Sequence, residues 1–407
     1  MIAGAISLAV VACGSPSSHW RASRRPPHPE RPSAVRTVIP SDLMAPRIIG
    51  WLHARGQRIL DSRGRRVRFR GMNVSGLGPG DGDPDALERT QTGCPGWAPP
   101  PRTELDDIAS WGFNIIRLPI SWANLEPARP TTLPSGTLRH HWNRPYLQAI
   151  DSTVQAFEAR GIAVILEMAQ ANWSPVFAHL KTHFGTMCRG VGMPVWLYPH
   201  QGSGGQAAPR RSFYANQGQI QQGYAEAWKL VASRYAAVPT VVGLDTVNEP
   251  NLSGMPPRSL HLDALYQRVM SAIRAANRRT LLIFQDTPDI GGNRFGLSRP
   301  PPFAGVVYSF HLYVTNWAPD GRRETEDFVR RARSWNVPLW IGEFDVFDQA
   351  SPWAVDPRWT SDLQVMLDYC RSHWIGWSIF TYGIHWFLDP FTREPLPGLL
   401  PMLQGDF

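Results

Sequence analysis

Along most of the chain, short apolar runs rich in β-branched residues alternate with longer amphipathic stretches. The apolar runs cover residues 67–73, 114–119, 163–168, 241–248, 281–285, 306–313, 339–344 and 376–381. Runs that stay apolar at almost every position suit strands buried on both faces of a parallel sheet. Between them, residues 103–111, 146–160, 217–235, 260–277, 324–335 and 359–373 repeat apolar side chains at helical spacing. Eight such strands with intervening helices predict an α/β fold, the (β/α)8 TIM barrel. A doubly wound open sheet is the alternative, but no G-x-G-x-x-G follows the first strand.

Smaller features refine this picture. Two short strand-like runs, Trp51-Leu52-His53 and Arg58-Ile59-Leu60, read as a small N-terminal β-hairpin closing the bottom of the barrel. Thr103 with Asp106 resembles an N-terminal cap for the first helix. Residues 170–216, after the third strand, form a long loop rich in Gly, Pro and aromatic residues, the kind that serves as a lid or binding wall. The chain shows no internal repeat. Its 407 residues fit one barrel, because such barrels routinely exceed about 250 residues.

The N-terminal part has a different character. Residues 1–13 read as an export signal: the apolar run from Ile2 to Ala12 is too short for a membrane span, which needs about 20 residues. Val10-Val11-Ala12-Cys13 resembles a bacterial lipobox in which Cys13 would carry the lipid, although no Lys or Arg precedes it. Residues 14–47, rich in Pro, Arg and Ser, read as a flexible tether, and residues 48–407 as the barrel domain. The expected location is secreted, or lipid-anchored on the outer side of a bacterial membrane, with that anchor as the membrane contact.

Composition narrows the function classes. Hydrophobic content of 43% and charged content of 18% describe a globular chain with a sizeable core. The net charge of +8 comes from scattered arginines, with Lys181 and Lys229 the only lysines, so no nucleic-acid partner is expected. The 17 tryptophans point elsewhere, since sugar-binding clefts use their flat apolar faces. Cys94 and Cys188 fall on loops at one rim, where an oxidising compartment favours a bridge, while Cys370 should stay a buried thiol. No cysteine has metal-ligand spacing. A monomer is expected.

In a barrel of this type the chemistry sits at the C-terminal ends of the strands. Asn248-Glu249-Pro250 closes the fourth strand, and Glu343 the seventh. Two carboxylates facing one cleft are the minimum apparatus for hydrolysing a glycosidic bond. Arg117 ends the second strand, and a cation there would keep a carboxylate ionised. His311 and Tyr313, two apart on the sixth, share one side. A tyrosine hydroxyl can orient the nucleophile, and the Asn248 amide can grip a sugar hydroxyl. Asp345 and Glu167 are rival carboxylates, Asp345 in a supporting position two residues past Glu343, and Asn73 reads as packing. Trp122, Trp173, Trp196 and Trp317 either stack on sugars or fill space.

The set Arg70-Gly71-Met72-Asn73, Arg117-Leu118-Pro119, Asn248-Glu249-Pro250, His311-Leu312-Tyr313, Gly342-Glu343-Phe344 and Gly376-Trp377-Ser378 resembles glycoside hydrolase family 5, the cellulase family. Residues 165–170, 125–127 and 242–250 are similar to its endoglycoceramidase-like branch. The resemblance implies a retaining mechanism, Glu249 as acid/base, Glu343 as nucleophile, and no metal or organic cofactor. It also implies substrate contacts by Arg117, Asn248, His311, Tyr313 and Trp377, with Phe380 the alternative strand-eight aromatic. Ala169 stands where the family usually has a histidine, and with about two dozen residues after strand eight the branch's usual C-terminal β-sandwich domain is not expected.

The substrate expected is a short β-glycoside or a glycolipid. The alternatives are an endo-acting β-glucanase or mannanase, a transglycosylase, and a cell-surface carbohydrate-binding protein without turnover.

Overall fold

The computed structural model describes residues 44–48, 50–77, 97–170, 173–177, 179–182, 185–188, 192–198, 205, 207–250, 256–286, 295–312, 322–345, 359–382, 387–388 and 394–406. The export signal with Cys13, residues 14–43, Cys94, Tyr313 and Trp317 lie outside them, and so does the expected Cys94–Cys188 bridge. The described residues belong to one compact unit that starts at Val38.

Eight parallel strands close into a barrel in chain order: Arg70–Val74, Ile115–Ile120, Ala163–Met168, Val241–Asp245, Leu281–Gln285, Val306–His311, Leu339–Phe344 and Gly376–Tyr382. They are numbered here first to eighth. All eight expected strands are present, and the doubly wound sheet is excluded by the pairing of the eighth strand with the first. One boundary shifts. Val67 pairs with Ile59 in a separate antiparallel sheet of His53–Arg55, Arg58–Leu60 and Arg66–Val67.

Alternation along each strand sorts the apolar side chains into two layers. Ile116 and Leu118 face the helices, while Ile115 faces the interior with Ile165, Ile283, Val307 and Trp340. Leu52 and Ile59 of the small sheet join that interior cluster, so the hairpin does plug the bottom. Phe69 meets Trp340 edge-on there, ring centroids 5.9 Å apart.

The helices bury the faces their spacing predicts. In Arg144–Glu158 the buried side chains are Tyr146, Leu147, Ile150, Thr153, Val154 and Phe157. Asn143 caps this helix, its side-chain oxygen accepting from Tyr146 N. The first helix departs from expectation. Arg102–Ser110 starts one residue early, after Pro101, so Thr103 lies within the first turn and makes no cap. Asp106 instead accepts from Arg160 Nε at 3.0 Å.

The loop after the third strand contains structure that apolar periodicity did not reveal: a hairpin of His179–Thr182 with Gly185–Cys188, and a helix, Ala207–Tyr214. Met193, Trp173 and Phe213 from this region are buried in the helix-facing core. Order also begins upstream of Ile48. Ala45 is buried and its N–H donates to Gly112 O at 2.9 Å, while Asn114 Nδ2 donates to Pro46 O. Cys370 is the expected buried thiol, pushed upward first by burial and then by Asp406. Among the described residues no helix is long and apolar enough to cross a membrane.

Among the described glycines, Gly71 of the first strand has the least room for a side chain. A Cβ on Gly71 would lie 2.0 Å from Ile115 O on the neighbouring strand. Gly71→Ala should therefore cost on the order of 3 kcal/mol, the upper range for overpacking a rigid core. Urea unfolding of the variant and the parent checks this, and equal midpoints would refute it.

Candidate active site

Halfway up the barrel the inward positions change character. On the second strand Ile115 is followed two residues later by Arg117, and on the third Ile165 is followed by Glu167. The fourth strand goes from Gly243 to Asp245, the fifth from Ile283 to Gln285, and the sixth from Val307 to Ser309. All of these polar side chains are buried. A period of two thus stacks a polar layer on an aliphatic one.

Arg117, 1% exposed, organises that layer. Its Nε and Nη2 both donate to Asp245 Oδ2, at 3.0 and 2.9 Å. Nη2 also donates to Asn248 Oδ1 at 2.7 Å, and Nη1 donates to Glu343 Oε1 at 2.5 Å and Asn73 Oδ1 at 3.1 Å. These contacts employ all five donors of the guanidinium. Burial by itself would disfavour its charge, but Glu167, Asp245 and Glu343 outweigh burial and raise Arg117 above its ordinary range. Asn73, read from sequence as packing, ties the strands together: its Nδ2 donates to Gly342 O and Ile379 O.

Glu343 reaches this layer through an irregularity. Ser309 pairs with Trp340 and Phe310 with Ile341, yet His311 pairs with Glu343, so one residue of the seventh strand is extra. A bulge of this kind re-aims a side chain. It turns Glu343 inward beside Gly342, where a Cβ would meet Ser309 Oγ at 2.8 Å and His311 Nε2 at 3.0 Å. Only glycine fits there without displacing His311.

Glu249 stands just beyond the fourth strand with φ of +40°, in the left-handed region. His311 Nδ1 donates to Glu249 Oε1 at 2.7 Å and lies 3.3 Å from Glu343 Oε2. Burial pushes the Glu249 carboxyl up, but the hydrogen bond and charge of His311, with Arg117 behind them, hold it below the usual range. Oxygen atoms of the two glutamates and a nitrogen of His311 lie within 4.8 Å of one another. Such a trio could hold a metal ion among the described residues. Equally, it is two carboxylates bridged by an imidazole, the arrangement its contacts describe.

The structure therefore brings together Glu249, Glu343, Arg117, Asn248 and His311, and leaves Trp377 out. Trp377 is fully buried on the helix-facing side of the eighth strand, between Phe113 and Phe344, with Nε1 donating to Asp406 Oδ2 at 2.7 Å. Trp377 and Ile379 both point toward the helices, so the substrate contact expected of Trp377 is corrected. Phe380, an even position 9% exposed, belongs to neither apolar layer.

Trp122 and Trp173 fill space: Trp122 packs against Tyr224 and donates to Glu126, and Trp173 packs against Phe213. Trp196 is partly exposed, with Arg129 5.8 Å over its ring. Asp245, Gln285 and Gln170 were not singled out from sequence. The signal for the first two was present, as each lies two residues beyond an inward position of its strand.

The cellulase (glycosyl hydrolase family 5) model matches residues 60–385. An endoglucanase of Paenibacillus polymyxa is 25% identical over 287 residues, covering 65% of this chain and 60% of that protein. The major extracellular endoglucanase of Xanthomonas campestris pv. campestris is 28% identical over 205 residues, covering 48% and 32%. The chain thus spans less than two thirds of the curated relatives it matches. Among solved structures, an endogalactoceramidase superposes with a TM-score of 0.66 at 24% identity, covering 88% of this chain and 84% of that one. Endo-glycoceramidase II from Rhodococcus sp. does so with a TM-score of 0.65 at 22% identity, covering 85% and 80%. At those identities the likeness is one of fold. The family match spans most of the sequence, and the chain belongs to the cellulase family, glycosyl hydrolase family 5.

Proposed function

We propose that this protein is a retaining β-glycosidase in which Glu343 is the nucleophile and Glu249 the acid/base. The observation that carries the proposal is the approach of the two strand-end carboxylates, oxygen to oxygen within 4.8 Å. Retaining enzymes hold their carboxyl groups roughly 5 Å apart, whereas inverting ones leave room for a water, at roughly 6.5–9.5 Å. The roles follow from environment. Glu343 is 5% exposed, and Arg117 grips its Oε1 and so fixes the direction from which this carboxylate meets the anomeric carbon. Glu249 is more open, with its side chain 21% exposed, which leaves it accessible to a departing oxygen and to an incoming water.

In the first step Glu343 Oε bonds to the anomeric carbon as the bond to the aglycone oxygen breaks, and Glu249 gives that oxygen its proton. In the second, Glu249 takes a proton from water, which attacks the same carbon and releases Glu343. Arg117 stabilises the nucleophile's charge before attack and after release. Asn248, its Oδ1 held by Arg117, offers its amide nitrogen to a sugar hydroxyl, and Tyr313 follows two residues after His311. We assign the work to the extracytoplasmic side, with Cys13 as the lipid attachment point, consistent with a curated relative described as extracellular.

For substrate we infer a β-glycoside with a short glycone, a glycolipid among the options. Support comes from the solved structures named endogalactoceramidase and endo-glycoceramidase II and from a curated relative named glucosylceramidase, 26% identical over 147 residues. The endoglucanase relatives favour a second reading, endo-action on a β-glucan chain. Purified protein offered both classes distinguishes them. Release of sugar from glycolipids or short β-glycosides, with little loss of carboxymethylcellulose viscosity, is expected, and the reverse selects the second reading.

The roles have their own test. Glu343→Gly should lose roughly 10⁴-fold or more in hydrolysis and form an α-glycosyl azide when azide is supplied. Glu249→Ala should lose about 10²–10⁴-fold on poor leaving groups, keep most activity on good ones, and yield a β-azide. Exchanged azide products would reverse the assignment.

The depressed Glu249 carboxyl adds a pH dependence. An acid held below its usual range loses its proton at lower pH, so kcat/KM, which reports the free enzyme, should decline early on the basic side. In His311→Phe burial acts unopposed by the imidazole, Glu249 titrates higher, and the basic limb moves to higher pH. A basic limb that stays put or moves down in that variant refutes the coupling.

A further inference from the structure

We propose that Gln170 and Gln285 are positioning residues that aim the Glu249 carboxyl by gripping, from opposite ends, the peptide unit joining Asn248 to Glu249. The carbonyl of that unit, Asn248 O, accepts from Gln170 Nε2, and its N–H, on Glu249, donates to Gln285 Oε1 at 3.0 Å. The two glutamines come from the strands flanking the fourth, Gln170 just past the end of the third and Gln285 at the end of the fifth. Both are buried, at 5% and 2% exposure.

This peptide unit needs such a grip. The ladders of the fourth strand end at Asp245, paired with Glu167 on one side and Ile283 on the other, three residues short of Asn248. No strand pairing fixes its direction, and Glu249 holds a φ of +40° that side-chain-bearing residues seldom adopt. The direction in which Glu249 projects then depends on the rotation of this one plane. A side-chain amide at each end removes that rotation.

The orientation of Gln285 is itself determined. Its Nε2 donates to the Asp245 carboxylate, at 3.2 and 3.4 Å, which leaves Oε1 for the Glu249 N–H. An inverted amide would set an oxygen against a carboxylate and an N–H against an N–H. Asp245 in turn takes two donors of Arg117, and Arg117 grips Glu343. One connected path therefore runs from the backbone of Glu249 through Gln285, Asp245 and Arg117 to Glu343. It fixes the two carboxylates against each other even though they stand on different strands.

The inference rests on Glu249 being the acid/base. Displacement of a catalytic group by about 1 Å can cost on the order of 100-fold, and a misaimed acid hurts most where the departing oxygen needs its proton. Gln285→Met and Gln170→Met keep length and lose the grip. Each is assayed by kcat/KM across β-glycosides from 2,4-dinitrophenyl to alkyl aglycones, beside Glu249→Ala. The expected result is a loss of roughly 10- to 100-fold for alkyl aglycones that shrinks steadily to about 3-fold or less for dinitrophenyl, with azide accelerating dinitrophenyl turnover.

A loss equal across the series, or no loss, with native circular dichroism and melting temperature, overturns the proposal. Should the methionine variants unfold, Gln285→Asn, shortened by one methylene, must steepen the same dependence, and failure to do so overturns it equally. If Glu249→Ala shows no dependence on the leaving group, the acid/base role itself falls. If Glu249→Ala shows it and the glutamine variants do not, the grip alone falls.

Discussion

A guanidinium sealed inside the barrel has to find a partner for every donor or remain a heavy cost, because removing an ion from water costs several kcal/mol even after the protein relaxes. Arg117 meets that constraint with five contacts to Asp245, Glu343, Asn248 and Asn73. The requirement reaches across the molecule, since those residues come from the first, fourth and seventh strands and the turn after the fourth. Asp245 and Glu167 supply negative charge to the layer from below the cleft. Glu343, which also answers to Arg117, rises above them beside His311. The buried cation is thus the point at which the stability of the barrel top and the placement of the nucleophile become one problem.

Delivery of the two glutamates relies on breaking the regular pattern of strands. A strictly alternating seventh strand would turn Gly342 inward and Glu343 toward the helices. The extra residue between Ile341 and Glu343 turns both inward, and the missing side chain of Gly342 makes room for Ser309 and His311. Glu249 is delivered by a left-handed turn just past a strand end. Both departures sit within reach of one imidazole, so His311 bridges two side chains whose backbones reach the cleft by different irregularities.

Aromatic residues illustrate how far composition can mislead about a cleft. The abundance of tryptophan suggested sugar-stacking surfaces, yet Trp122, Trp228, Trp340 and Trp377 are among the largest fully buried side chains. Trp340 packs inside the barrel and Trp377 outside it. Their indole N–H groups account for part of the choice: Trp377 bonds Asp406 and Trp228 bonds Thr246 O, anchoring strand to helix where phenylalanine could only fill.

Sequence alone determined the barrel, because strands buried on both faces must be apolar throughout and helices laid over them must repeat near 3.6, and neither rule needs distant information. It also located Glu249, Glu343, Arg117, Asn248 and His311 at strand ends, where motif and topology coincide. What it could not determine were features set by neighbours far apart in the chain. Thr103 looked like a cap until the helix began one residue earlier, at Arg102 behind Pro101. Trp377 looked like a cleft residue, but the direction of its side chain depends on the register of the eighth strand against the first, established only when the barrel closes. The bulge at Gly342, the five-way satisfaction of Arg117 and the two glutamines on one peptide unit are likewise decided in three dimensions. A buried polar atom takes whichever partner the fold brings within about 3 Å, and no local pattern encodes which that will be.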